Sequence, residues 1–95
     1  MARGYWIGRG DVWNPEAYQG YMAANGAAFA KFGGRFLVRG GAFEGKEGSH
    51  RSRQVIVEFP DYAAALACYH SPEYAAARLL RDGAAVLDLV IVEGV

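Results

Sequence analysis

The chain has 95 residues, 53% of them hydrophobic, and its ten acidic and ten basic residues give a formal charge of zero. A chain of this length forms one domain and buries only about 60–65% of its unfolded surface, so a partner chain is expected to extend its core. The zero net charge argues against nucleic acid or an anionic membrane as a partner. We therefore expect one domain over residues 1–95 that binds neither.

No apolar run is long enough for a signal peptide or a membrane-spanning helix. The expected compartment is therefore the cytoplasm. The only cysteine, Cys68, cannot form an internal disulfide, which agrees with a reducing compartment.

The first half of the chain predicts strand, helix and strand. A strand is expected over Gly4 to Val12 and a helix over Pro15 to Phe32. Asn14 is a typical helix cap, and the proline after it lacks an N–H that the first helical turn does not need. Gly33 ends the helix, and the next strand is expected over Gly34 to Ala42.

The second half repeats this order. A strand is expected over Arg53 to Phe59, and a helix over Tyr62 to Arg81 that Pro72 breaks in the middle. The last strand, Ala84 to Glu93, is apolar at every position of its central part except Asp88. A strand with this pattern is covered on both faces.

Two β-α-β units in one small sheet predict an α+β, ferredoxin-like βαββαβ fold: a four-stranded antiparallel sheet with two helices on one face. The helices leave the other face of the sheet bare. Because the last strand is apolar on both faces, we expect a second copy of the chain to cover it. The prediction is a homodimeric α/β barrel.

Three ordered segments carry a resemblance to a known family: Gly34 to Gly41, Val57 to Pro60 and Tyr69 to Tyr74. Over nearly its whole length, the chain resembles the Domain of Unknown Function 1330 family. The resemblance implies a ferredoxin-like chain of the dimeric α/β-barrel superfamily, with no assigned reaction. That superfamily holds heme-degrading monooxygenases, cofactor-free oxygenases and plain ligand binders, so the fold alone does not select an activity.

Two arginines and a glutamate lie on, or at the start of, predicted strands: Arg39, Arg53 and Glu58. Buried charges need partners, so one interpretation is an ion pair between Arg39 and Glu58. The other is that Arg39 holds the carboxylate or enolate of a ligand, because a guanidinium can bind such a group with two hydrogen bonds. Arg53 is a second candidate for this role.

Tyr69 and Tyr74 flank the break at Pro72. Irregular backbone beside a sheet is a typical pocket wall, so both tyrosines are ligand-binding candidates. Tyr18 and Tyr21 are expected to be core residues whose hydroxyls reach the rim.

The candidate catalytic bases are His70 and Glu58. Cys68 is only two residues from His70 on a predicted helix, where their side chains point in different directions. We therefore interpret Cys68 as a buried structural residue. Metal binding is not expected, because two histidines and one cysteine lack metal-ligand spacing, and no cofactor motif is present.

The sequence predicts a small cytoplasmic homodimer that binds an anionic or aromatic organic molecule between its sheet and helices. One alternative is a cofactor-free enzyme of the same architecture that transfers a proton to or from an enolisable substrate, or oxygenates it. Another is a purely structural dimer whose own side chains fill the cavity. Whether the protein is an enzyme is left open by the sequence.

Overall fold

A computed structural model describes residues 2–95. Its seven elements, in chain order, are β1 (Gly4–Val12), α1 (Pro15–Lys31), β2 (Arg35–Arg39), β3 (Arg53–Phe59), α2 (Tyr62–Tyr69), α3 (Pro72–Leu79) and β4 (Ala85–Glu93). The strands form one antiparallel sheet in the order β2-β3-β1-β4. This is the ferredoxin-like arrangement that the sequence predicts. No helix of the described chain is long and apolar enough to cross a membrane.

The region after β3 contains two separate helices, where the sequence predicts one broken helix. The N–H of His70 returns to the carbonyl of Leu66 and closes α2. The Ser71 side chain then accepts a hydrogen bond of 3.1 Å from the N–H of Tyr74 and caps α3, whose first residue is Pro72. A new cap followed by proline is a typical helix start, so the break becomes a boundary between two helices.

Strand β2 is shorter than predicted and contains a bulge. It ends at Arg39, because Gly40 takes the positive φ of +70° and turns the chain away from the sheet. The register with β3 shifts around Leu37, and Arg39 then lies opposite Val55 on the face that carries the helices. The expectation that Arg39 pairs with Glu58 is therefore wrong, since Glu58 lies on the other face.

The core lies between the sheet and the helices and is centred on Trp6. Its indole N–H donates to the carbonyl of Ala65 at 2.9 Å. Its ring meets Phe29 and Tyr74 edge to face, with centroids 5.0 and 4.8 Å apart. Aromatic pairs of this geometry stabilise by about 0.5–1.5 kcal/mol beyond the burial of their area.

The face of the sheet opposite the helices, here called the open face, carries exposed apolar side chains. On β4, Leu87 and Leu89 pack against the core, whereas Val90 on the open face is 54% exposed. Ile7 lies opposite Val90 in the register of β1 with β4. The last strand is thus apolar towards both sides, although α1, α2 and α3 cover only one.

Candidate functional site

A cavity of about 40 Å³, here called the inner cavity, lies between the sheet and the helices. Mostly apolar residues of β1, β3 and β4 form its floor: Trp6, Gly8, Val55, Val57, Leu87 and Leu89. The helical side contributes Tyr18, Tyr21 and Phe29 from α1, Tyr74 from α3, and Arg81 from the turn after α3.

Gly8 leaves this space open at the centre of the sheet. It lies in register between Val55 on β3 and Leu89 on β4, and both of these residues line the cavity. A Cβ atom built at Gly8 would lie 3.7 Å from Leu89 Cδ1, an ordinary van der Waals contact. The missing side chain is therefore not imposed by backbone crowding.

One edge of the inner cavity is polar. The hydroxyls of Tyr21 and Tyr74 share a hydrogen bond of 2.8 Å, and the Arg81 guanidinium carbon lies 5.3 Å from the centre of the Tyr21 ring. Burial raises the pKa of Tyr21, and Tyr74 raises it further, so Tyr21 stays neutral. Burial lowers the pKa of Arg81, but the two tyrosine hydroxyls more than offset this effect, and the guanidinium stays charged.

A second space, here called the outer groove, has a volume of about 270 Å³ and lies beside the start of α1. Its lining includes Val12, Pro15, Tyr18, Met22, Gly40 and Arg53, and no lining residue is acidic or a histidine. Tyr18 lines both the groove and the inner cavity, and it is 4% exposed. Its side chain is therefore the wall between the two spaces.

Arg53 places a partly buried positive charge at the groove. Its guanidinium carbon lies 6.0 Å from the centre of the Tyr18 ring, and Nη2 lies 3.6 Å from the sulfur of Met22. Its Nε is buried without a hydrogen-bond partner, and no carboxylate among residues 2–95 forms an ion pair with it. The guanidinium packs on the backbone of Gly40, which has no Cβ to obstruct it.

Arg39 on β2 is not one of the residues that line the groove, but it lies against Met22, which is one of them. It is exposed, and its guanidinium carbon lies 4.2 Å from the centre of the Phe36 ring. Its Nη2 lies 3.5 Å from the carbonyl oxygen of Met22, at the limit of a hydrogen bond. Arg39 and Arg53 therefore both lie against Met22, the first at its carbonyl oxygen and the second at its sulfur, although they come from different strands.

The other sequence candidates lie in different surroundings. Tyr74 lines the inner cavity, and the half-buried Tyr69 packs beside it with ring centroids 5.5 Å apart. His70 is exposed at the end of α2 and packs on Tyr69. It lines neither the inner cavity nor the outer groove.

Glu58 is buried on the open face, away from both spaces. Its carboxylate accepts a hydrogen bond of 3.1 Å from the Tyr5 hydroxyl and forms a 3.0 Å ion pair with Arg35. Burial acts to raise the pKa of Glu58, but Tyr5 and Arg35 outweigh it and hold that pKa below its usual range. The partner of this acid is therefore Arg35.

Cys68 is fully buried, and its thiol points to the carbonyl of Ala28 at 3.7 Å. Burial raises the pKa of the Cys68 thiol to about 12, with a smaller contribution from the charge of Glu73. A thiol with this pKa is not a nucleophile near neutral pH. Within the described residues, no three histidine, cysteine or acidic side chains are grouped to hold a metal ion.

Sequence reasoning missed Arg81 and Gly8 as cavity residues. A signal for Arg81 existed, because Tyr74, Ala77 and Arg81 follow one another at three- and four-residue spacing, which places them on one helical face. No comparable signal marked Gly8, since one glycine in a strand does not reveal what lies above it.

Comparison with known proteins gives the family and the fold. The sequence profile of the family described as "Domain of unknown function (DUF1330)" matches residues 3–95. No curated protein matches the chain.

Three solved structures are similar. RPA0582, a protein of unknown function from Rhodopseudomonas palustris, is 22% identical with a TM-score of 0.74, over 99% of this chain and 83% of that one. SnoaB, a cofactor-independent oxygenase from Streptomyces nogalater, is 15% identical with a TM-score of 0.69, over 97% and 92%. A conserved protein from Bacteroides thetaiotaomicron, described as a possible oxidoreductase, is 14% identical with a TM-score of 0.59, over 97% of each chain.

At these identities the structural similarities establish the fold and not the activity. The fold is the ferredoxin-like one that the sequence predicts. Because the family profile covers nearly the whole chain, the protein belongs to the Domain of Unknown Function 1330 family.

Proposed function

We propose that the protein binds a small anionic, aromatic organic molecule in the outer groove, with Arg53 and Arg39 holding its anionic group. The observation that carries this proposal is the state of Arg53. A partly buried guanidinium without a carboxylate partner is costly, and a bound anion would remove that cost.

The lining of the groove indicates the rest of the ligand. Pro15, Met22 and Tyr18 offer apolar and aromatic surface beside the arginines. A planar ring can pack on such surface while its carboxylate accepts two hydrogen bonds from a guanidinium. The expected ligand class is therefore the aromatic carboxylates and the phenolates or enolates that resemble them. Tyr69 and Tyr74, the tyrosine candidates from the sequence, do not line this groove.

Titration followed by NMR tests the proposal. Benzoate is added to ¹⁵N-labelled protein, and uncharged benzamide of the same shape is the control ligand. Benzoate should shift the signals of Met22, Gly40, Ser52 and the Arg53 side chain, whereas benzamide should shift them less. Benzoate shifts confined to other surfaces, or equal shifts with both ligands, would refute the proposal.

The second candidate function is a cofactor-free enzyme, and the fold similarity to SnoaB is the observation that favours it. Among the residues that line the groove and the inner cavity, none is a carboxylate or an imidazole. His70 and Glu58, the candidate bases from the sequence, lie elsewhere. A reaction at this site would therefore use a substrate that loses its proton to solvent water, while the arginines stabilise the enolate or phenolate that is left.

Oxygen uptake and solvent deuterium exchange test this second function. Enolisable aryl ketones and hydroquinones are incubated with the parent protein and with Arg53→Met. Arg53-dependent oxygen uptake would identify an oxygenase, and Arg53-dependent deuterium incorporation alone would identify proton transfer. Rates equal to those of buffer would exclude catalysis of these substrates and leave ligand binding as the function.

We further propose that the protein acts as a cytoplasmic homodimer in which the open faces of two copies meet. Val90, Val92 and Leu37 are large apolar residues that remain between 40% and 54% exposed. A second copy would bury them, and the Arg35–Glu58 pair would enter the interface already neutralised.

A further inference from the structure

We propose that the inner cavity is a binding site for molecular oxygen, kept open by Gly8 and separated from the outer groove by Tyr18. The role of this oxygen rests on the second candidate function, the cofactor-free enzyme. Its presence rests on the cavity alone and can be tested without any substrate.

The size of the cavity excludes an organic ligand. A volume of about 40 Å³ exceeds what one water molecule needs but is far below the several hundred cubic ångströms of a usual organic-ligand pocket. A diatomic gas fits such a space. The outer groove, at about 270 Å³, is the space in which an aromatic molecule fits.

Most of the cavity lining is apolar, since its floor consists of Trp6, Gly8 and the side chains of valines and leucines. Its polar groups, Tyr21, Tyr74 and Arg81, are confined to one edge, so a water held there is the competing occupant. The two tyrosine hydroxyls on its polar edge already bond to each other. Apolar cavities in proteins remain dry and take up apolar gases such as xenon.

The charged edge adds a reason for oxygen in particular. The Arg81 guanidinium lines this cavity and has a buried Nε without a hydrogen-bond partner among the described residues. A fixed positive charge beside molecular oxygen favours any state in which the oxygen carries partial negative charge. Tyr18 lines both this space and the groove, so an anion bound at Arg53 would lie on the other side of the Tyr18 side chain from the gas.

Gly8 provides a specific way to close the site. An alanine methyl at this position would point into the cavity and make only an ordinary contact with Leu89 Cδ1, at 3.7 Å. Gly8→Ala should therefore fold and fill the space that the gas would occupy. Gly20→Ala is the matched control, because Gly20 is exposed on α1 and a Cβ there meets nothing within 4 Å.

The test measures oxygen itself through its paramagnetism. Methyl-labelled protein is pressurised with oxygen, and the extra NMR relaxation is read at Leu87 and Leu89 and compared with that of Ala65, which is fully buried but outside the cavity. The proposal expects stronger relaxation at the leucines in the parent and in Gly20→Ala, and loss of this difference in Gly8→Ala. A crystal pressurised with xenon should show one atom in the inner cavity.

Two results would overturn the proposal. One is equal relaxation at the leucines and at Ala65 in the parent protein, a measurement that requires no variant to fold. The other is an ordered water in place of xenon. Either result would leave the groove proposal intact, because benzoate binding does not involve the inner cavity. Conversely, oxygen in the inner cavity without benzoate binding would refute the proposed anion site in the outer groove and leave the proposed oxygen site intact.

Discussion

Gly4 and Gly8 lie on the same side of β1, yet their surroundings differ. A Cβ at Gly4 would lie 2.8 Å from Tyr62 Cα and closer still to the carbonyl oxygen of Asp61. Both obstacles are backbone atoms at the start of α2, so they cannot move aside without shifting the helix. Gly4 therefore permits close packing of α2 on the sheet, whereas Gly8 leaves a cavity.

Gly4→Ala is predicted to lower the free energy of unfolding by about 1–3 kcal/mol, because the methyl overpacks a backbone contact. Gly8→Ala is predicted to leave stability unchanged or to raise it by up to about 1 kcal/mol, since the unfolded chain loses freedom and the cavity fills. Urea unfolding of both variants measures the difference. Similar losses for the two would show that Gly8 is packed as tightly as Gly4.

The Cys68 thiol is predicted to resist modification in the folded protein. Its surroundings are apolar, and burial raises its pKa to about 12, so almost no thiolate exists at pH 8. A thiol reagent such as Ellman's reagent should react quickly in denaturing urea and very slowly in buffer. Rapid reaction of the native protein, with no unfolding, would contradict the buried structural role.

The site residues were only partly predictable from the sequence. Tyr74 and Arg53, proposed from the proline break and from the start of a strand, line the inner cavity and the outer groove, and their role in ligand binding stays a prediction. Of the two interpretations of Arg39, the ion pair with Glu58 does not hold, because the bulge at Leu37 turns Arg39 to the other face of the sheet, and nothing in that segment marks a bulge. Arg35, one strand position before Phe36, became the partner instead.

At the level of elements, Arg51 connects the end of the long β2–β3 loop to two strands of the sheet, β1 and β4. Its guanidinium contacts Asp11 on β1 at 3.0 Å and Asp88 on β4 at 2.7 Å. The next residue, Ser52, donates its N–H to Asp11 at 2.8 Å. The Asp11 carboxylate therefore holds the end of the loop to the sheet, because it accepts hydrogen bonds from two consecutive residues, Arg51 and Ser52.

This contact predicts a loss of stability in acid. Hydrogen bonds from the Ser52 backbone and from Arg51 hold the pKa of Asp11 below its usual range. Because that pKa is lower in the folded than in the unfolded state, protonation favours unfolding. The stabilisation is complete above the unfolded pKa of about 4 and disappears as the pH falls through the folded value.

Asp11→Asn should remove this pH dependence. Thermal unfolding of the parent and of Asp11→Asn is followed between about pH 6 and pH 3, the range in which such carboxylates titrate. The melting temperature should fall less steeply in the variant. Asp82→Asn, in the exposed turn before β4, controls for the change of charge. Parallel curves for parent and Asp11→Asn would contradict the assigned role.

The elements themselves were largely predictable. The predicted cap Asn14 is a local signal, and it accepts the expected backbone hydrogen bond at 3.2 Å; Asp61 caps α2 in the same way, at 2.7 Å. The end of β2 was predicted three residues too late, because Gly40 and Gly41 do not interrupt the strand pattern in sequence although Gly40 turns the backbone. Strand ends of this kind depend on tertiary contacts.

For the whole molecule, the proposed dimer makes the open face the most sensitive surface. Val90→Arg would place an unpaired charge at the centre of the proposed interface, and dissociation is the expected result. Light scattering should give twice the chain mass for the parent and the single mass for the variant. Ala67→Arg, on the exposed side of α2, should remain dimeric. A parent protein that is monomeric while folded would refute the dimer.

The central claim is that Arg53 recognises an anion in the outer groove, and the most direct test is calorimetric titration of benzoate into three proteins. The parent should bind benzoate, and Arg53→Met should lose about 1–3 kcal/mol of binding free energy, because the charge-assisted hydrogen bonds are gone. Arg78→Met, an exposed position on α3 outside the groove, should bind like the parent. Equal benzoate affinity in all three proteins would contradict the account.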